Sequence, residues 1–166
     1  MRIKEMTQLT TDDIKEIDGV LCIDINKNFD TNLGKKKKVK TSSSIRLIPL
    51  HSKLVEIGFL NHIDMRKKKA KENGRAARIF FSDNKDFSEY FRKKINHKVI
   101  AKGNKSKTFY SFRHSFINKL LQANQRIEHI AALAGHEQTY NITAKTYGEQ
   151  INPKILKDVV EVLRYG

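Results

Sequence analysis

The chain has 166 residues, 33 of them Lys or Arg against 18 Asp or Glu, for a formal charge of +15, and 39% of it is hydrophobic. That composition suits one domain with one sizeable core, and the charge excess points to a polyanionic partner, nucleic acid before an anionic membrane surface. The single cysteine, Cys22, excludes an intramolecular disulfide and fits a reducing compartment; no apolar run approaches the roughly 20 residues that span a bilayer.

In chain order, "RIKEMTQLTTDDI" places Ile3, Met6 and Leu9 at helical spacing, so a helix is expected to open the chain. "GVLCIDIN" alternates, with Leu21, Ile23 and Ile25 on one face, and reads as a half-buried strand that holds Cys22. "SIRLIPL" repeats the alternation with Ile45 and Leu47. A polar, lysine-rich connection joins the two, so they are expected to form an antiparallel hairpin. "HSKLVEIGFLNHIDMRKKKAKENG" is helical with an interruption at Gly58, and "ARIFF" is expected as a third short strand. Ser82 or Asp83 can cap a helix carrying Phe87, Tyr90, Phe91 and Ile95. "TFYSFRHSFINKLLQANQ" is a helix whose apolar stripe holds Phe109, Phe112, Phe116, Ile117, Leu120 and Leu121. "RIEHIAALAGH" is a short helix stopped by Gly135 as a left-handed cap. "NITAKTYGEQ" is a further short helix or turn. In "NPKILKDVVEVLRY", Asn152 caps, Pro153 takes the first helical position, and Ile155, Val159, Val160, Val162 and Leu163 form an apolar face. The sum is an α+β fold, mainly helical, with a small antiparallel three-stranded sheet.

One residue breaks the pattern. At about 100° per residue, Arg113 falls inside the apolar stripe of its helix. One reading pairs it with an acidic group at the helix rim, its stem lying on the core. The other holds a rigid guanidinium fork ready for a phosphate. His136, directly after Gly135, would alone be a turn histidine, and Tyr147, before Gly148, would alone be a packing residue with its hydroxyl in water.

The ordered set "FYSFRHSF", "LAGH" and "TYG" resembles the C-terminal signature of the tyrosine recombinases, the phage-integrase family, with Arg113, His136 and Tyr147 in the family's positions. The family's earlier Gly-x-Arg-x-x-Glu block is similar to "MRIKEMTQL", with Arg2 as its arginine. The hairpin lysine upstream of an Arg-x-x-Pro-Leu is similar to Lys40 in "KTSSSIRLIPL". The resemblance covers almost the whole chain, with all blocks in order.

It implies a catalytic set of Arg2, Lys40, Arg113, His136 and Tyr147. Two arginines cradle the non-bridging oxygens of a phosphodiester, so neither a metal nor ATP is required and no cofactor is expected. Tyr147 is the nucleophile and leaves a 3′-phosphotyrosine with a free 5′-hydroxyl. Lys40 is the general acid, with Lys38 as the fallback if the hairpin register differs, and His136 hydrogen-bonds a non-bridging oxygen. The sequence departs from the family at Tyr110, where a histidine is usual. A phenol can donate a hydrogen bond to phosphate but, with a reference pKa near 10, does not accept a proton as imidazole does, so the acceptor for the Tyr147 proton is unassigned. His114, at the far edge of the stripe, is read as structural.

Lys35, Lys36, Lys37 and Lys38, with Lys67 to Lys69, are expected on the DNA backbone, giving salt-sensitive binding of little sequence preference. The resemblance further implies that residues 1–166 are a single catalytic domain, truncated ahead of Arg2 and without the family's N-terminal DNA-clamping domain. Its expected partner is double-stranded DNA and not a membrane. A homotetramer on DNA is coupled through the last helix, the piece alone being a monomer, with accessory DNA-bending proteins and a cytoplasmic, nucleoid-associated setting. Three alternatives stay open: an inactive DNA-binding relic of the same fold, a type IB topoisomerase, and a basic RNA-binding module. The last explains the charge but not the order Arg, His, Tyr.

Overall fold

The computed structural model describes residues 1–30, 34–72, 77–80, 84–96, 107–136 and 151–165. Among them, seven α-helices surround a small antiparallel sheet. Helix α1 (Ile3–Thr7) is short, because the chain turns at Gln8 and enters a 3₁₀ turn at Thr11–Asp13. The first strand follows at once: β1 (Ile14–Ile17) pairs with β2 (Val20–Ile25), Ile17 opposite Val20. The two-residue turn is Asp18-Gly19, both with positive φ (52° and 77°), the conformation that suits the right-handed twist of a tight hairpin. Thus the third strand of the sheet lies before β2 and not at "ARIFF". There, Arg78 makes only an isolated bridge with Thr10.

The expected antiparallel pairing of β2 with "SIRLIPL" is present as β5 (Arg46–Pro49), giving the order β1-β2-β5. The connection between them carries a second ladder, β3 (Phe29–Asp30) with β4 (Lys35–Lys36), so the two long strands are not a simple hairpin. The face of β5 also differs from its alternation. Ile45 is 39% exposed, whereas Arg46 is buried and Ile48 packs inward. A charged side chain therefore takes the place where an apolar one was expected.

Helices α2 (Ser52–Glu56) and α3 (Phe59–Lys71) break at Gly58, as expected, with φ +87°. Helix α4 (Asn84–Tyr90) runs on into wider π-type turns at Phe91–Asn96; its suggested caps Ser82 and Asp83 lie outside the described residues. Helix α5 (Tyr110–Gln122) carries Arg113, α6 (Ile127–Ala134) ends at Gly135, and α7 (Pro153–Glu161) is capped by Asn152, whose Oδ1 accepts from the Lys154 amide at 2.8 Å.

Two apolar clusters hold these parts together. Leu9, Ile23, Ile25, Leu50, Ile63 and Ile79 form one beneath the sheet. The other joins Leu120 of α5, Ile130 and Leu133 of α6, and Leu156, Val159, Val160 and Leu163 of the last helical segment. Ile48 touches both. Helix α7 covers the second face of β2 and β5, which is why Cys22 is fully buried and the strand is sealed on both sides. Ser52 donates from its amide and hydroxyl to Glu161, both at 2.7 Å, and Lys157 donates to the Leu50 carbonyl, tying α7 to the end of β5. The apolar face of the last helix is therefore seated on the chain's own core. Ile155 and Val162, expected on that face, are exposed. Likewise Phe112 and Leu121 of the α5 stripe stay largely in solvent, while Leu120 is completely buried.

Candidate active site

The site is built from the ends of four elements. Glu5 sits in the first turn of α1 and accepts from the Arg2 amide at 2.7 Å, so the same carboxylate caps the helix and fixes the chain before it. Its oxygens also accept from Arg2 Nη1 at 2.8 Å and from Arg46 Nη2 at 3.0 Å. Arg46 is locked further by donating from Nε to the Leu133 carbonyl at 2.9 Å and from Nη1 to the Ser44 carbonyl at 2.6 Å. Arg2 donates to Ser44 Oγ at 3.0 Å and to the Gly135 carbonyl at 3.2 Å. One buried carboxylate thus holds two guanidiniums, and both reach across to the end of α6.

Gly135 makes that approach feasible. It is left-handed (φ 67°, ψ 48°), and the His136 amide behind it donates back to the Ala131 carbonyl at 3.0 Å, closing the helix. A β-carbon at Gly135 would lie 2.7 Å from Arg46 Nη1, so both its backbone and its neighbour require glycine.

Burial alone would raise the Glu5 pKa. The hydrogen bonds and charge of Arg46, with the hydrogen bonds of Arg2, outweigh it and hold the carboxyl at about 2. A depressed carboxylate pKa contributes stability in full above its ordinary 4.5 and loses it as pH falls toward 2. Glu5→Gln is expected to cost about 3 kcal/mol, because it leaves the buried Arg46 and the half-buried Arg2 without their anion, and to flatten the stability profile in that window. Denaturant titrations of both proteins from pH 5 to pH 2 check this; parallel profiles would show that Glu5 is not the coupled group.

Arg113 completes the cluster and differs from its neighbours. It is 4% exposed, and its Nε, Nη1 and Nη2 are buried with no hydrogen-bond partner among the described residues. Desolvation lowers its pKa, and the nearby charges of Arg2 and Arg46 lower it further. Among the described residues no rim carboxylate satisfies it, and Glu5 is engaged by Arg2 and Arg46. His136 is pushed down for the same reasons, by partial desolvation and then by Arg113, Arg2, Arg46 and His114. Both effects favour its uncharged form. Arg2, Arg46, Arg113 and His136 converge on one place, three guanidiniums and an imidazole around one carboxylate, and the arrangement asks for an anion.

Tyr110 lies one turn before His114 on α5, their rings edge to face at 4.9 Å, both exposed. Tyr110 also acts electrostatically on Arg113, and His114 on His136, so both border the site. His114, read from the sequence as structural, is thus at the edge of the cluster. Lys40 is exposed, four residues before the buried Ser44 in the 3₁₀ turn Ser42–Ser44. Tyr147 lies outside the described residues. Of the four lysines expected on DNA, Lys35, Lys36 and Lys38 are exposed, but Lys37 is buried against Asp13 at 2.5 Å. Lys67 and Lys68 are exposed on α3.

Sequence reasoning passed over Arg46 and Glu5 as site residues. Both stood inside recognised blocks, Arg46 heading Arg-x-x-Pro-Leu and Glu5 closing Arg-x-x-Glu. The signal was the repetition of charge at positions with apolar neighbours. No helix among the described residues is long and apolar enough to cross a membrane, and none of their His, Cys, Asp and Glu side chains cluster as a metal site would require. Residues 1–150 match the model of the phage integrase family. No curated protein and no solved structure matches the chain.

Proposed function

The chain belongs to the phage integrase family, and on that premise we propose that it is the catalytic domain of a site-specific DNA recombinase that breaks and rejoins strands through a tyrosyl intermediate. The observation that carries the reading is the buried Arg113 guanidinium with no hydrogen-bond partner among the described residues, beside two arginines held by Glu5. A buried unpaired cation is costly to a fold and is useful when an anion arrives.

The phosphodiester takes that place. Arg113 receives its non-bridging oxygens in a fork of N–H donors, Arg2 adds charge from the side, and His136 donates one hydrogen bond. Arg46 acts behind them: its nitrogens are committed to Leu133, Ser44 and Glu5, so it fixes Arg2 and Gly135 and does not reach for substrate. The Tyr147 oxygen attacks phosphorus. The bond to the 5′-oxygen breaks, and that oxygen takes a proton from Lys40. The 5′-hydroxyl of a second strand reverses the step, so bond energy is conserved. Lys35, Lys36, Lys38, Lys67 and Lys68 supply the backbone contacts. In this scheme the active unit on DNA is a homotetramer.

The test is a suicide DNA substrate whose cleaved 5′ end diffuses away. The protein is expected to form an adduct that survives denaturant, with the DNA on the peptide that holds Tyr147. DNA binding without any adduct would establish the inactive relic instead. Tyr110→His, which restores the imidazole usual in the family, is expected to hold or raise the single-turnover cleavage rate. A fall of about a hundredfold or more, the scale of a lost proton-transfer contribution, would show that the phenol has a role of its own.

A further inference from the structure

The segment between β4 and β5 carries Lys40, and it is fastened on both sides. Lys37 is buried, and its Nζ donates to both oxygens of Asp13 at 2.5 and 2.6 Å. Asp13 is held in turn by the Thr10 amide at 2.8 Å and by Asn26 Nδ2 at 2.9 Å. At the next residue, the Gln8 side chain grips the backbone as a strand neighbour would. Its Oε1 accepts from the Lys38 amide at 2.8 Å and its Nε2 donates to the Lys38 carbonyl at 2.9 Å. Val39 packs on the cluster beneath the sheet. Beyond Lys40, Thr41 Oγ1 bonds to Ser43 and Ser44, and Ser44 Oγ accepts from Arg2.

Lys40 is therefore an exposed side chain between a residue packed in the core and a residue tied to the arginine cluster. A simple surface loop of lysines would not spend a buried ion pair and a two-point amide contact on its backbone. Burying the Lys37 ammonium costs solvation that the Asp13 contacts must recover, and what the arrangement fixes is the register of the residues that follow.

We propose that Gln8 and Asp13 are positioning residues that set the register from which Lys40 is delivered to the leaving oxygen; this rests on Lys40 being the general acid of the reaction above. The pair also separates the lysines by task. Lys37 is structural, Lys38 is held by its backbone, and Lys40 alone is placed next to the turn that contacts Arg2. A shift of one residue would exchange Lys40 for a neighbour and remove the acid from reach. Misplacement by about 1 Å can cost on the order of a hundredfold in rate.

The experiment compares two DNA substrates in single-turnover cleavage, one ordinary and one with sulfur in place of the bridging 5′-oxygen. A thiolate leaves without a proton, so the second substrate does not need the acid. Gln8 is only partly buried, so Gln8→Ala is expected to fold; it should cleave the ordinary substrate roughly ten- to a hundredfold more slowly and the sulfur substrate at the wild-type rate. Asp13→Asn should show the same split. Equal slowing on both substrates, or no slowing on the ordinary one, would overturn the proposal. Lys40→Ala is the reference. If sulfur does not restore its cleavage, Lys40 is not the acid and the underlying reading falls, an outcome distinct from a Gln8 variant that behaves like wild type.

Discussion

Arg113→Met is expected to raise the melting temperature and to abolish strand cleavage. The guanidinium is 4% exposed, with no hydrogen-bond partner among the described residues on any of its nitrogens. It also stands near Arg2 and Arg46, so the folded protein bears both its desolvation and its repulsion. Methionine fills a similar space without either cost. Replacing buried charge by apolar groups stabilises by about 1–4 kcal/mol where geometry permits, at roughly 2–4 °C per kcal/mol for a chain of this size. Cleavage moves the other way. Loss of one preorganised donor to a developing oxyanion costs about 10²–10³ in rate, and Arg113 presents several donors at once. Arg113→Lys separates charge from geometry: DNA affinity should stay within a few-fold, while cleavage falls by at least two orders of magnitude because a point charge cannot make the fork. Thermal denaturation, filter binding and single-turnover cleavage measure the three quantities. A lowered melting temperature for Arg113→Met would show that the guanidinium has an internal partner; unchanged cleavage by Arg113→Lys would remove the bidentate contact from the mechanism.

Tyr147→Phe is the second large effect. Removing one oxygen deletes the nucleophile and leaves the ring, so folding and DNA affinity should stay at wild-type values. Covalent capture should disappear altogether, since no water-mediated route leaves DNA attached to protein. Surviving capture would place the nucleophile elsewhere, and Tyr110, which borders the cluster, would be the one to replace next.

The parts of the fold that rest on local chemistry were legible in the sequence. Gly58 and Gly135 break helices where a left-handed residue is needed, and Asn152-Pro153 starts one. The alternation of β2 identified a strand, and the apolar stripe around Arg113 correctly marked it as an interior cation. What was missed depends on partners far along the chain. The strand Ile14–Ile17 is short, with a Lys-Glu centre that hides its alternation. The Asp18-Gly19 turn was nevertheless a strong hairpin signal. Arg46 reverses the face of β5 because Glu5, Leu133 and Ser44 receive it, and no window around residue 46 contains Glu5 or Leu133. Lys37 reads as one of four equal lysines until Asp13 is brought against it. At Arg46 and at Lys37 a tertiary ion pair overrode the local pattern.

The seam between the two apolar clusters has a consequence for the life of the chain. Arg2, Glu5, Ser44 and Arg46 come from the amino-terminal part, while Arg113, Leu133, Gly135 and His136 come from the carboxy-terminal part, and Ile48 is the residue common to both clusters. Neither portion by itself owns a complete pocket. A chain interrupted or cut between the two parts therefore lacks the assembled arginine cluster, and with it the machinery of the reaction proposed above.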